Sequence, residues 1–262
     1  MCGIAGYSLS HDCDVDRTLA AQALLAGIAE RGADAVGYAY RNGKPTRIHK
    51  QRSGASALLD RVEIPQPAHE VLVHVRDYTK GHPTIEANNH PIRHGSVVGI
   101  HNGIILNDEQ IFEEFGFDRE EPGMTVDSEA IFALAGLTHS RAKELERLHG
   151  SMAAAWLDDR RPGMLYCARG VNRPLWVGEG NQATFFASTA LALEVVEHYT
   201  GLALDMREVD EGTLLTLGQG RLAHRKRFKP SRDFVERPLP AVRAPSEGAT
   251  CLRRLATLAA AA

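Results

Sequence analysis

Paired cysteines are missing from this 262-residue chain. Its four, Cys2, Cys13, Cys167 and Cys251, stand far apart with no C-x-x-C pair, so neither a zinc ribbon nor a disulfide framework is indicated. Long apolar runs are missing as well, and none approaches the length of a membrane span. The opening "MCGIAGYSLSHDCD" has no basic start and turns acidic quickly, unlike a secretory leader. A lipid-modified cysteine would need an apolar segment before it, and only Met1 is there. The cytoplasm is the expected location. An excess of one charge is also lacking: the formal net charge is −3, which argues against nucleic acid or an anionic membrane as main partner. The densest basic run, "HRKRFK" from His224 to Lys229, reads as a solvated strand end.

What is present is an ordinary globular composition, 44% hydrophobic and 24% charged, enough for one large domain or two small ones. Strands alternate with helices and no repeat is evident. Ile4 to Leu9 reads as a strand. Asp16 to Glu30 reads as an amphipathic helix, with Leu19, Ala23, Leu24 and Ile28 at helical spacing and a stop at Arg31-Gly32. "AVGYAYRNGKPTRIH" reads as a hairpin turning at Asn42-Gly43. Further strands are expected at "EVLVHVR" and "SVVGIHNG", and helices around Asp108–Phe115, Asp127–Leu137 and Ala142–Leu148. Five more strands and one helix near Leu191–His198 are expected between Ser151 and Arg227. From Pro230 the chain becomes rich in proline and charge, so a domain over 1–229 and a tail over 230–262, ending in a short helix, are expected. Periodicity reaches the α+β class and stops there.

A thiol one residue from the start of a chain is open to two readings. Cys2 is either the first residue of a strand or a nucleophile kept beside a terminal amine. An ordinary cysteine has a pKa of about 8.5, and a free backbone amine of about 7.7–8.0 holds the lost proton near neutral pH. Removal of Met1 would put nucleophile and base on one residue, as in N-terminal threonine nucleophiles.

Four stretches weigh on the choice: "ERGADAVGY" (30–38), "HVRDYTKG" (74–81), "NNHPI…GIHNGIILN" (88–107) and "TVDSEAIF" (125–132). With the terminal Cys-Gly-Ile they resemble, in order and spacing, the glutaminase domain of class II glutamine amidotransferases in the N-terminal-nucleophile hydrolase superfamily, above all that of glucosamine-6-phosphate synthase. The resemblance runs from Cys2 to roughly Arg227. It implies a four-layer α/β/β/α sandwich of two mainly antiparallel sheets. It implies Cys2 as nucleophile and the Asn102 side chain and Gly103 amide as oxyanion donors. Arg76, with Thr79 and the backbone near Gly81, would take the α-carboxylate of L-glutamine, and Asp127 its ammonium. Arg31, Gly32 and Asp34 match an R-G-x-D motif that supports the nucleophile.

Each assignment has a plainer counterpart. Asn102-Gly103 reads equally as a tight turn, Arg76 as a surface partner of Asp77, and Asp127 as a helix cap. The histidines His74, His82, His90, His94 and His101 fit no zinc spacing, so no metal and no cofactor is expected. Two departures from the family pattern stand in the same loop: Asp77 where an aromatic residue is usual, and Lys80 after Thr79. No acceptor segment follows Arg227. The expectation is therefore a free-standing glutaminase-type amidotransferase that releases ammonia through a glutamyl thioester for a separate synthetase or transferase, docked through the tail. The alternatives are a hydrolase of another γ-glutamyl amide, or a glutamine-binding subunit without catalysis if Met1 stays.

Overall fold

The computed structural model describes residues 1–236 and 244–261; the middle of the proline-rich tail, 237–243, lies outside them. The strands are β1 (Gly3–Leu9), β2 (Ala35–Tyr40), β3 (Arg47–Gln51), β4 (Glu70–Arg76), β5 (Ile92–His94), β6 (Val97–Ile105), β7 (Gly150–Asp158), β8 (Leu165–Arg169), β9 (Trp176–Gly180), β10 (Ala183–Ala187), β11 (Asp205–Glu208), β12 (Thr213–Gly218) and β13 (Arg221–Arg227). The α-helices are α1 (Arg17–Ile28), α2 (Asp108–Phe115), α3 (Glu129–Thr138), α4 (Ala190–Thr200) and α5 (Pro245–Ala261).

The strands form two antiparallel sheets. One has the order β11-β9-β10-β1-β4-β2-β3 and the other β13-β12-β8-β7-β6-β5. Both faces of the central strands are buried, and the period-2 alternation sorts their side chains into layers. Ala5, Tyr7 and Leu9 of β1, with Val71, Val73 and Val75 of β4, pack outward with α1 and α4. Ile4, Leu72, Val98, Ile100 and Phe186 face inward and fill the space between the sheets. On the far side Val97 and Ile105 of β6 join Ile131, Phe132 and Leu134 of α3. The result is the α+β four-layer sandwich the resemblance implied.

Local signals account for most boundaries. Asp16 caps α1 by accepting from the Leu19 amide at 2.9 Å, and the helix tightens into a 3-10 turn at Ala29–Arg31 before Gly32. The hairpin β2–β3 pairs Tyr40 with Arg47, so its connection is six residues, 41–46, and not the two of Asn42-Gly43. Only Ala142–Arg147 differs in type, forming a 3-10 helix. The basic run lies on β13 with its side chains largely exposed. Short strands β5 and β11 carry no periodic signal of their own. The closing helix α5 buries Cys251 and Leu255 in the layer formed with α1.

Candidate active site

The same alternation that builds the inner layer sets the first half of the site. Gly3 of β1 pairs with Val75 of β4, so one step further along the two strands Cys2 meets Arg76. Both continue the inward register of Ile4 and Leu72. Cys2 is half-buried, and its thiol donates to the Asp77 carbonyl at 3.3 Å. Its own carbonyl accepts from Arg31 Nε at 2.9 Å. Gly32 sits where a Cβ would lie 2.4 Å from the Arg76 carbonyl, so the R-G-x-D segment can lie flat on the end of β4 only with glycine there. The Asp34 carboxylate accepts from the Tyr78 amide at 2.9 Å. Arg31, Gly32, Asp34 and Cys2 thus form one packed unit with the end of β4.

Arg76 is buried, with 2% of its surface exposed, which removes the reading as a surface partner of Asp77. Its Nη1 donates to Asn89 Oδ1 at 2.6 Å, and its Nη2 to the carbonyls of Lys80 and Gly81. Asn89 was not singled out from sequence, although it lies in the quoted "NNHPI" stretch. Burial pushes the Cys2 thiol pKa up, while the Arg76 charge pulls it back. Met1 is joined to Cys2, and its ammonium pairs with Asp77.

The second sheet supplies the other half. His101-Asn102-Gly103 lies inside β6, paired with Ala154, Ala153 and Met152 of β7; it is not a hairpin turn. Asn102 shares the inward face with Val98 and Ile100, and its buried Nδ2 makes no hydrogen bond to a described residue. Gly103 has φ +146°, and a Cβ there would lie 2.0 Å from the Ser151 carbonyl, so this backbone conformation and close approach to β7 need glycine. His101 points to the opposite face, where its Nδ1 lies 2.8 Å from Ser128 Oγ. Burial lowers its pKa, and that of His74, to about 3, so both are neutral near pH 7.

Asp127 does not cap α3: its carboxylate accepts from the Ile105 amide at 2.6 Å, and no side chain caps that helix at Ser128. Burial raises its pKa to about 6 against the pull of the Ile105 amide. Cys2, Arg76, Thr79, Gly103 and Asp127 line one cleft together with Tyr78, Lys80, His90 and His101, with room for only about 10 Å³. Gly81 joins it through its carbonyl on Arg76. Among the described residues no three His, Cys, Asp or Glu side chains cluster as metal ligands, and no helix is long and apolar enough to cross a membrane.

A glutamine amidotransferase domain model matches residues 79–195. The chain is 33% identical over 211 residues to glutamine–fructose-6-phosphate aminotransferase of Shouchella clausii, covering 75% of this chain and 33% of that protein. The enzyme of the same name from Staphylococcus epidermidis is 35% identical over 210 residues, again 74% of this chain and 33% of the relative. This chain therefore spans about a third of those relatives' length. Among solved structures, the glutamine phosphoribosylpyrophosphate amidotransferase of Bacillus subtilis, complexed with ADP and GMP, superposes with a TM-score of 0.65 at 21% identity, over 86% of this chain and 49% of that one. A structure described as the allosteric regulatory enzyme of purine biosynthesis superposes with a TM-score of 0.66 over the same shares. The family model and the relatives identify the chain, and the superposed structures share its fold: this chain belongs to the class II glutamine amidotransferases.

Proposed function

We propose that this domain hydrolyses the side-chain amide of L-glutamine, acting as a free-standing glutaminase that supplies ammonia to a separate acceptor enzyme. The observation that carries the reading is the convergence of Cys2, Arg76, Gly103 and Asp127 on one cleft. Asn102 does not itself line that cleft, but it adjoins Gly103 on β6 and its buried amide nitrogen has no protein partner among the described residues. Removal of Met1 frees the Cys2 amine, which takes the thiol proton as sulfur attacks the amide carbon. The oxyanion receives hydrogen bonds from Asn102 Nδ2 and the Gly103 amide. Donors of this kind are worth about 100- to 1,000-fold in rate each, and a buried amide without a partner is already desolvated for the task. As the tetrahedral intermediate collapses, the C–N bond breaks and the proton passes from the terminal amine to the leaving nitrogen. Water then cleaves the thioester to glutamate and regenerates the thiol. Arg76 holds the α-carboxylate by its planar fork, with Thr79 and Gly81 alongside, and Asp127 holds the α-ammonium.

Intact mass and a glutaminase assay test this together. The active protein is expected to lack one methionine and to release ammonia from glutamine in preference to other γ-glutamyl amides, with Cys2→Ala inactive yet still binding glutamine. Full turnover by Cys2→Ala, or by a chain that keeps Met1, overturns the assignment. Preference for another γ-glutamyl compound replaces glutamine as substrate and keeps the thioester chemistry.

A further inference from the structure

The two family departures, Asp77 and Lys80, are both ion-paired, at opposite ends of the loop that covers the cleft. Asp77 pairs with the Met1 ammonium, a partner that leaves if Met1 is removed. Lys80 does not depend on processing. Its Nζ lies 2.8 Å from both carboxylate oxygens of Asp108 and 3.3 Å from Glu109 Oε1, at the first turn of α2. Asp108 is buried, and its Oδ2, one of the two oxygens that accept from Lys80, also accepts from Arg119 Nη2 at 3.3 Å; Arg119 Nη1 in turn bonds Glu129 at 3.2 Å. Burial works against the Lys80 charge, but its bonds to Asp108 outweigh that and raise its pKa. Lys80 is therefore charged and paired with a buried carboxylate that Arg119 also holds.

Fastened this way, the loop occupies what glutamine needs. The cleft beneath it holds about 10 Å³, on the order of the space one water requires. The carbonyls of Lys80 and Gly81 take both bonds of Arg76 Nη2, the group assigned to the substrate carboxylate. We propose that Lys80 is a positioning residue, a latch that holds loop 77–81 on α2 through Asp108 and keeps the glutamine cleft shut and Arg76 engaged until the pair breaks. The inference rests on the glutaminase reading for what is shut out, though not for the latch itself. Only the released fraction binds substrate, so apparent affinity falls by that fraction.

Amide hydrogen exchange of residues 77–82 in the full-length, substrate-free protein reads the latch without any activity. Steady-state glutamine kinetics reads its consequence. Lys80→Met is expected to speed exchange at the Tyr78 amide, and to lower KM for glutamine about fivefold with kcat no higher; Lys80→Arg, which keeps the charge, is expected to restore both. Unchanged exchange in Lys80→Met overturns the latch. Faster exchange with an unchanged or raised KM overturns its role as a barrier to entry. Should the processed wild-type protein turn over no glutamine, the glutaminase reading fails and exchange alone decides the latch.

Discussion

Asp127 shows how one buried group ties binding to pH. Its carboxyl is held near 6 in the folded chain, above the ordinary 3.8, because burial penalises the charged form. The folded state thus binds this proton more tightly than the unfolded chain does, and the residue weakens the fold as pH rises from about 4 through 6. In the proposed role substrate binding runs the other way, since an ammonium needs the ionised carboxylate. KM for glutamine is therefore expected to rise below pH 6, approaching tenfold per pH unit, while Asp127→Asn gives a high KM that is flat across the same range. A wild-type KM independent of pH between 5 and 7 contradicts the ammonium role. The cap reading of this residue was reasonable from "TVDSEAIF" alone, because the pattern precedes a helix in either case. What distinguishes the roles is a bond to Ile105, a residue 22 positions away, and separation of that kind leaves no local trace.

At the scale of elements, legibility follows the range of the interaction. The extents of β1, α1 and α2 were readable because periodicity, a cap and a stop lie within each segment. His101-Asn102-Gly103 ends the strand expected at "SVVGIHNG" but was read also as a turn because Asn-Gly favours one locally; pairing with β7 along nine residues overrides that preference. The alternative reading of Arg76 as a surface residue stayed open because its partner Asn89 comes from the loop before β5. The closing helix carries a similar lesson. Its Glu247 carboxylate accepts from the Ser56 amide and hydroxyl at 2.9 and 3.0 Å, and the Ala244 amide donates to the Glu30 carbonyl at 2.8 Å. Glu30 precedes Arg31, which holds the Cys2 carbonyl, so α5 braces from behind the segment that contacts Cys2. Leu255, fully buried in the α1 layer, anchors that brace. Leu255→Ala is expected to cost about 2–5 kcal/mol and to lower the melting temperature by several degrees, measured by calorimetry. A loss below about 0.5 kcal/mol would mean that α5 is not packed on α1 in solution.

For the molecule as a whole, the decisive fact is that the site spans the gap between two sheets. Cys2 precedes β1 and Arg76 ends β4 in one sheet, whereas Asn102 and Gly103 belong to β6 of the other. Their relative placement depends on the inner layer of Ile4, Ile100, Phe186 and their neighbours, on which the proposed chemistry would rely. The motifs could be recognised one by one in the chain, but nothing in their spacing states that β1 and β6 face each other. Packing of this kind transmits small shifts because protein interiors are dense, and a displacement of about 1 Å between reacting groups costs on the order of 100-fold in rate. Two buried truncations separate alignment from stability. Ile100→Ala cuts the inner layer beside His101; Leu193→Ala cuts the outer layer between α4 and α1. Each is expected to lose about 2–5 kcal/mol of stability. At a temperature where both remain folded, Ile100→Ala is expected to lower kcat for glutamine more than tenfold and Leu193→Ala less than twofold. Equal losses of kcat in the two variants would show that stability alone, and not the register of one sheet on the other, governs the chemistry.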